Sequence, residues 1–188
     1  MDNYREWLKE CIVDRAIQFG TFVLSSGQKS EYYVDLRLVT LDPKGAYWVA
    51  KVLLGALEGE EVDAVGGPSM AADPIAGAVA AVAGAEDLPV RGFMVRKEPK
   101  GHGMRKRVEG PLKPGMRVVV VDDTVTTATQ MIEAARAVEQ EVGCHVVKLL
   151  CIIDRLQSAR SNAEAAGYRF ESIFTIDELL KAKRRTRR

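Results

Sequence analysis

The chain has 188 residues, of which 47% are apolar and 28% are charged, and a formal net charge of +1. That size and balance are ordinary for one compact globular domain, and a near-neutral total charge says little about partners. The three cysteines, Cys11, Cys144 and Cys151, form no CxxC pair, and their odd count argues against a disulfide framework. The opening MDNYREWLKE is charged and has no apolar centre, which excludes a signal peptide. No apolar run approaches the roughly 20 residues that span a bilayer. No membrane partner and a cytoplasmic location are the expectations, with the cysteines acting as small apolar residues in a reducing compartment.

Leu8, Cys11, Ile12, Ala16 and Phe19 recur at helical spacing and predict an amphipathic helix that Gly20 ends. Residues 31–38 (EYYVDLRL) are rich in aromatic and β-branched side chains and predict a strand. Asp42-Pro43 opens a helix with Val49, Leu53 and Leu57 on one face. A short strand over 62–65 ends in Gly66-Gly67-Pro68. Asp73-Pro74 predicts the next helix start, with aspartate as the capping acceptor. Strand 90–95 leads into a basic, glycine-containing loop over 97–110. RVVVV at 117–121 is an unbroken apolar run, as in a central parallel strand buried on both faces. A helix over 126–142, a strand over 146–153, a short helix over 162–166, a strand over 170–174 and a helix over 177–183 complete the pattern. Strands alternate with helices, so the expected fold is α/β, a parallel sheet with helices on both faces, in one domain over 1–188. The tail KAKRRTRR, 181–188, is the only biased segment. It could be a solvated charge run or contact nucleic acid, and the solvated reading is preferred.

The sharpest chemical signal is VVVVDDTVTTATQ, 118–130. A buried strand runs into Asp122-Asp123, hydroxyl-bearing residues follow, and a helix begins. Ligands of open α/β sheets bind beyond the carboxyl ends of strands, and the N-terminus of a helix offers unpaired N–H groups to an anion. Thr124, Thr126, Thr127 and Thr129 add hydroxyl donors, which suits a phosphate monoester. Carboxylates beside an anion site are explained if they accept from sugar hydroxyls or face a cation bridging the ligand. An N-cap aspartate before a threonine-rich helix start is the bland alternative. The four preceding valines and four threonines weigh against it. No Walker loop occurs. A second signal is RKEPKGHG, 96–103: Arg96, Lys97, Lys100 and His102 could together stabilise the charge that builds on a departing diphosphate.

The acidic-pair loop resembles the phosphoribosyl diphosphate motif of the type I phosphoribosyltransferases, and RKxxKGHG resembles the catalytic loop of the orotate phosphoribosyltransferases. The resemblance runs from Phe22 to Leu180. It implies a small N-terminal hood over 1–40 and transfer of phosphoribose from 5-phosphoribosyl 1-diphosphate (PRPP) to orotate, giving orotidine 5′-phosphate and pyrophosphate in pyrimidine biosynthesis. Phe22 to Tyr33 (FVLSSGQKSEYY) is similar to the family's substrate segment, with Tyr32 and Tyr33 against the pyrimidine and Ser25 where some members carry lysine. GPSMAADP, 67–74, is similar to its first diphosphate loop, which assigns Ser69, Met70 and Ala71 to the ligand through backbone groups. IIDR, 152–155, gives Arg155 the orotate carboxylate, with Thr126 as a second contact. PRPP would also meet Asp122, Asp123, Thr124, Val125, Thr126, Thr127, Ala128, Thr129 and Gln130. Arg96, Lys97, Lys100 and His102 become the catalytic set. Mg²⁺ would be held mainly by PRPP with Asp122 and Asp123 nearby, without a direct protein ligand. A homodimer whose 97–110 loop reaches the neighbouring site is implied as well. Ala128 departs from the family, which usually has glycine there; a positive φ would strain it. The alternatives are a phosphoribosyltransferase for another base and a non-catalytic PRPP sensor.

Overall fold

The computed structural model describes residues 3–23, 29–98 and 106–186. Ser25, Lys100 and His102 lie outside them. Helix α1 (Tyr4–Cys11) continues through one π-helical turn (Ile12–Ala16) and then becomes strand β1 (Ile17–Val23), antiparallel to β2 (Lys29–Val34). The expected first helix therefore stops before Phe19. The sequence FGTFV has the β-branched and aromatic content of a strand, and Phe19 pairs with Tyr32. Gly20 sits where the β1–β2 register shifts, between Phe19 and Phe22, and ends no helix. The strand expected over 31–38 is shorter, because Arg37–Thr40 forms a single helical turn, α2.

Helix α3 (Pro43–Gly55) begins as expected: Asp42 accepts from the Lys44 and Gly45 N–H groups, and proline occupies the first turn. The remaining chain is β3 (Ala64–Pro68), α4 (Ala72–Ala85), β4 (Arg91–Val95), β5 (Val108–Glu109), β6 (Arg117–Val125), α5 (Thr129–Val142), β7 (His145–Asp154), α6 (Ala159–Ala165), β8 (Phe170–Thr175) and α7 (Ile176–Arg185). Three expectations change. Helix α4 starts before Asp73, whose carboxylate accepts from the Ser69 hydroxyl at 2.8 Å and does not cap the helix. Residues 108–109 of the expected 97–110 loop pair with β4. Tail residues Lys181–Arg185 are helical, and Lys183 Nζ donates to the Val13 and Asp14 carbonyls, so part of the tail is structural.

The six-stranded sheet has the order β5-β4-β3-β6-β7-β8, parallel except for β5. From β3 the chain first builds outward to β4 and β5, then returns to β6 on the other side. A topological switch point therefore lies between β3 and β6, where ligands of open α/β sheets bind. Alternate residues of β6 serve the two faces: Val119 and Val121 pack with α1, α3, α4 and α7, while Val118 and Val120 pack with α5 and α6. Full burial of each such valine contributes about 1.5–3 kcal/mol. Gly66 and Gly67 are required at the end of β3. A Cβ at Gly66 would stand 2.0 Å from the Phe93 carbonyl oxygen, and one at Gly67 2.0 Å from that of Val121. Close backbone packing fixes where residues 68–71 emerge.

Candidate active site

Strand β6 does not stop at the acidic pair, as the sequence reading has it; it carries the pair and continues to Val125. Parallel pairing sets Asp122 beside Cys151, Thr124 beside Ile153 and Val125 beside Asp154. The Arg155 N–H then donates to the Val125 carbonyl at 2.9 Å. The ends of β6 and β7 thus deliver the acidic pair and Arg155 to the same edge. The end of β3 delivers residues 69–71, and that of β4 delivers Arg96 and Lys97.

A cavity of about 420 Å³ opens there, lined by Lys97, Asp122, residues 124–130, Met131 and Glu133. It unites Thr124, Val125, Thr126, Thr127, Ala128, Thr129 and Gln130. The helix behind them starts at Thr129, not Thr126, which leaves 126–128 as a free-standing turn. No side chain caps α5, so its first N–H groups face the cavity side without an internal partner. Ala128 holds φ 59° and ψ 10°, the left-handed conformation that favours glycine. The Thr127 and Thr129 hydroxyls are 3.0 Å apart, and the Thr127 carbonyl accepts from Asn162 at 2.9 Å.

The carboxylates are in an unusual electrostatic state. Burial, with the like charge of Asp123 second, pushes Asp122 up to about 7. Burial raises Asp123 too, against the Thr124 N–H it accepts from and the positive charge of Arg37. Asp122 accepts from the Asp123 N–H at 2.9 Å. The Thr124 hydroxyl is buried and lacks a partner among the described residues, as does Nε of Arg155. Among the described residues, the Arg155 guanidinium donates to the Tyr32 hydroxyl at a weak 3.4 Å, and its carbon lies 5.4 Å from that ring's centre. A buried guanidinium donor left open calls for a partner beyond the described residues, such as a ligand group or an ordered water.

Other expected residues are placed differently. Tyr32 and Tyr33 are consecutive on β2 and point to opposite faces. Tyr32 faces Arg155, while Tyr33 packs on Phe22 at 5.6 Å and is partly exposed. Arg96 bonds Glu109 at 3.2 Å and does not line the cavity, whereas Lys97 does. Ser69, Met70 and Ala71 flank it across the switch point without lining it, and Met70 is 79% exposed. Val108 and Glu109 pair with β4, the Arg107 carbonyl accepts from the Arg96 N–H at 2.8 Å, and the Arg107 N–H donates to Glu141 on α5 at 3.0 Å. Sequence reading missed Asp35 and Arg37, a two-bonded ion pair at 2.9 and 3.1 Å whose charges both act on Asp123. Their position just after the paired tyrosines was the available signal. It also missed Met131, Glu133 and Asn162.

Two carboxylates alone make a poor protein cage for a metal ion, and no group of three or more potential ligands occurs among the described residues. An oxygen-donor pair of raised pKa does fit a hard cation whose remaining ligands are waters and phosphate oxygens.

Residues 44–171 match the phosphoribosyl transferase domain family. The orotate phosphoribosyltransferase of Aquifex aeolicus is 41% identical over 179 residues, covering 94% of this chain and 97% of its own. That of Streptomyces avermitilis is 43% identical, with 95% and 98% covered. The crystal structure of Mycobacterium tuberculosis H37Rv orotate phosphoribosyltransferase with Fe(III) dicitrate superposes with a TM-score of 0.81 at 34% identity, covering 94% and 98%. The same enzyme in complex with PRPP gives 0.78 at 33% identity, again with 94% and 98% covered. With relatives this similar along nearly all of both chains, this chain belongs to the orotate phosphoribosyltransferase family.

Proposed function

We propose that the protein transfers phosphoribose from PRPP to orotate, releasing pyrophosphate, and that the residues gathered at the β3–β6 switch point carry the reaction. The observation that supports this most is one cavity joining a threonine-rich helix entry to the buried carboxylate of Asp122, with Asp123 next to it in the chain and the open guanidinium of Arg155 on the adjoining strand end. Each feature matches one part of the substrates.

The 5′-phosphate sits on the turn 124–130, where hydroxyls and the α5 dipole favour negative charge. Asp122 and Asp123 accept from the ribose hydroxyls, directly or through the water shell of Mg²⁺. Bound together with PRPP, Mg²⁺ supplies neutralisation of diphosphate charge. Arg155 pairs with the orotate carboxylate through two parallel hydrogen bonds, with Thr126 and the Tyr32 ring beside the base. Tyr33 and Ser25 belong to the hood around it. As the C–O bond to pyrophosphate breaks, Lys97, Lys100 and His102 stabilise the leaving group, and Arg96 joins them only by leaving Glu109. Backbone groups of Ser69, Met70 and Ala71 contact the diphosphate. The orotate ring nitrogen forms its bond to the ribose carbon as the C–O bond to pyrophosphate breaks, and the ring N–H proton leaves to a pyrophosphate oxygen or to water.

A homodimer in the cytoplasm belongs to the same reading. Free, buried cysteines support the reducing compartment, and exposed Met70 beside the diphosphate segment supports a partner surface at the rim. Among the described residues, no helix is long and apolar enough to cross a membrane. The deciding assay follows absorbance loss of orotate with PRPP and Mg²⁺, with and without EDTA. Turnover that stops with EDTA is expected. Saturable PRPP binding without orotate turnover would refute the assigned base.

A further inference from the structure

We infer that Asn162 is a positioning residue for the phosphate turn. It acts through the Thr127–Ala128 peptide, and the inference rests on residues 124–130 being the phosphate cradle. Asn162 lies on α6, outside the cavity lining. Its side-chain amide donates to the Thr127 carbonyl at 2.9 Å and stands 3.2 Å from the Ser158 hydroxyl. One contact is internal to α6. The other crosses 35 residues to the turn.

The peptide plane explains what that bond does. The Thr127–Ala128 peptide is trans, so its C=O and N–H point opposite ways. Holding the carbonyl toward α6 turns the Ala128 N–H away from α6. Ala128 can then stand at φ 59° and cap α5, its carbonyl accepting from the Ile132 N–H at 2.9 Å. Relaxing Ala128 to an ordinary right-handed or extended conformation requires rotating this peptide, which breaks the Asn162 bond. The left-handed cost for a residue with a Cβ and the net worth of one hydrogen bond are of the same order. The bond is therefore large enough to decide which conformer the turn adopts before phosphate arrives. A family member with glycine at position 128 needs that help less.

The test uses ribose 5-phosphate binding by calorimetry together with steady-state kinetics. Asn162→Ala is expected to weaken ribose 5-phosphate binding and raise KM for PRPP about 3–10-fold, the scale of one lost hydrogen bond. The kcat and the KM for orotate should stay within about twofold, because the Thr127–Ala128 peptide that Asn162 holds contacts neither the base nor the leaving group. Asn162→Gln, which keeps a donor, should fall between the two. Ala128→Gly placed on Asn162→Ala should recover at least half of the lost affinity. A purely structural role for Asn162 predicts a lower Tm with both KM values moving together and no recovery by Ala128→Gly, and that result overturns the inference. An unchanged KM for PRPP in Asn162→Ala also overturns it. Failure of the unaltered protein to bind ribose 5-phosphate would instead remove the cradle itself, and this inference with it.

Discussion

The two ends of the sheet treat buried charge in opposite ways. At the amino end, Lys148 on β7 is 1% exposed, yet its ammonium donates to the Ala56 carbonyl at 3.0 Å, Glu60 at 2.9 Å and Glu171 at 2.8 Å. Arg169 reinforces both carboxylates. Burial alone would raise Glu171, but Lys148 and Arg169 outweigh it and hold the group below its usual value. At the carboxyl end, Asp122 rises to about 7 with no cation among the causes acting on it from the described residues, and Thr124 and Arg155 keep buried polar atoms without a partner among those residues. A charge network at one end, paired among the described residues except for Glu60 Oε2, stabilises the fold; an open set at the other is poised for a ligand that carries the missing charges. If that contrast is right, substitutions at the two ends should divide cleanly between stability and turnover.

The largest effects are expected at the open end and in activity. Arg155→Ala should lower kcat/KM for orotate by about 10²–10³-fold, since two charge-assisted bonds to the substrate are lost, while Tm changes little. Lys100→Ala should lower kcat by about 10²-fold or more, the loss expected when a group stabilising a leaving anion is removed. Steady-state kinetics beside thermal melts check both. An equal loss of Tm and activity in either variant would erase the distinction between the ends.

Lys148→Met probes the closed end. Removing one partner of a fully buried pair costs about 3–5 kcal/mol, but Glu60 and Glu171 retain some water contact and Arg169, so about 2–3 kcal/mol is expected here. Urea denaturation should show that loss, with kcat preserved below the transition. A tenfold fall in kcat with unchanged stability would show that the amino end is functional after all.

Much of this contrast could be read in the sequence, and its limits are physical. The buried β6 run, the acidic pair and the threonines are contiguous, so their shared location followed from one strand-to-helix turn. Arg155 was also accessible, because it follows a strand that the pattern places parallel to β6. Lys148 was not, since a lysine inside an apolar run looks like a solvent-facing interruption; only the distant Glu60 and Glu171 make it a core residue. The β1 strand was hidden because Leu8 to Ala16 establish a helical period into which Phe19 also falls, and pairing with β2 overrides it. Arg96 reads as a cation free for diphosphate, yet Glu109 claims it through the short β4–β5 pairing that no local pattern announces. Asn162 lies 35 residues from the peptide it holds, beyond the reach of any periodicity.

Asp122→Asn separates the two kinds of buried charge by pH. The carboxyl's ordinary value is 3.8 and its folded value about 7, so the native state binds the proton more tightly than the unfolded chain. Below about pH 4 both states are protonated and the group costs nothing. As pH rises through the window from about 4 to 7, the unfolded chain ionises first, and the protein loses stability. Asparagine cannot ionise, so the variant should match the parent near pH 4 and exceed its stability at pH 8 by of the order of 2–4 kcal/mol. Turnover should fall in the same variant. Denaturation at the two pH values, without PRPP or Mg²⁺, reads the difference. A stability gain that is the same at both would mean that Asp122 is not held out of its charged state by burial.

The smallest expected effect tests whether the open end also stores backbone strain. Ala128 pays for its positive φ, and replacing it with glycine would relieve about 1–2 kcal/mol. Two terms oppose that gain. The Ala128 methyl is 4% exposed and packs in the cluster with Met131 and Ala159, and losing one buried carbon costs about 0.8 kcal/mol. Glycine also enlarges the freedom of the unfolded chain, worth about 0.4–1 kcal/mol. The sum is close to zero. Ala128→Gly alone should therefore shift stability by less than about 1 kcal/mol in either direction and leave KM for PRPP within about twofold, because Asn162 still holds the peptide. Urea denaturation and PRPP kinetics read both quantities. A gain well above 1 kcal/mol would show that the methyl contributes no packing and that the turn is strained without compensation. A marked loss would show the reverse, that residue 128 is kept in place mainly by its side chain.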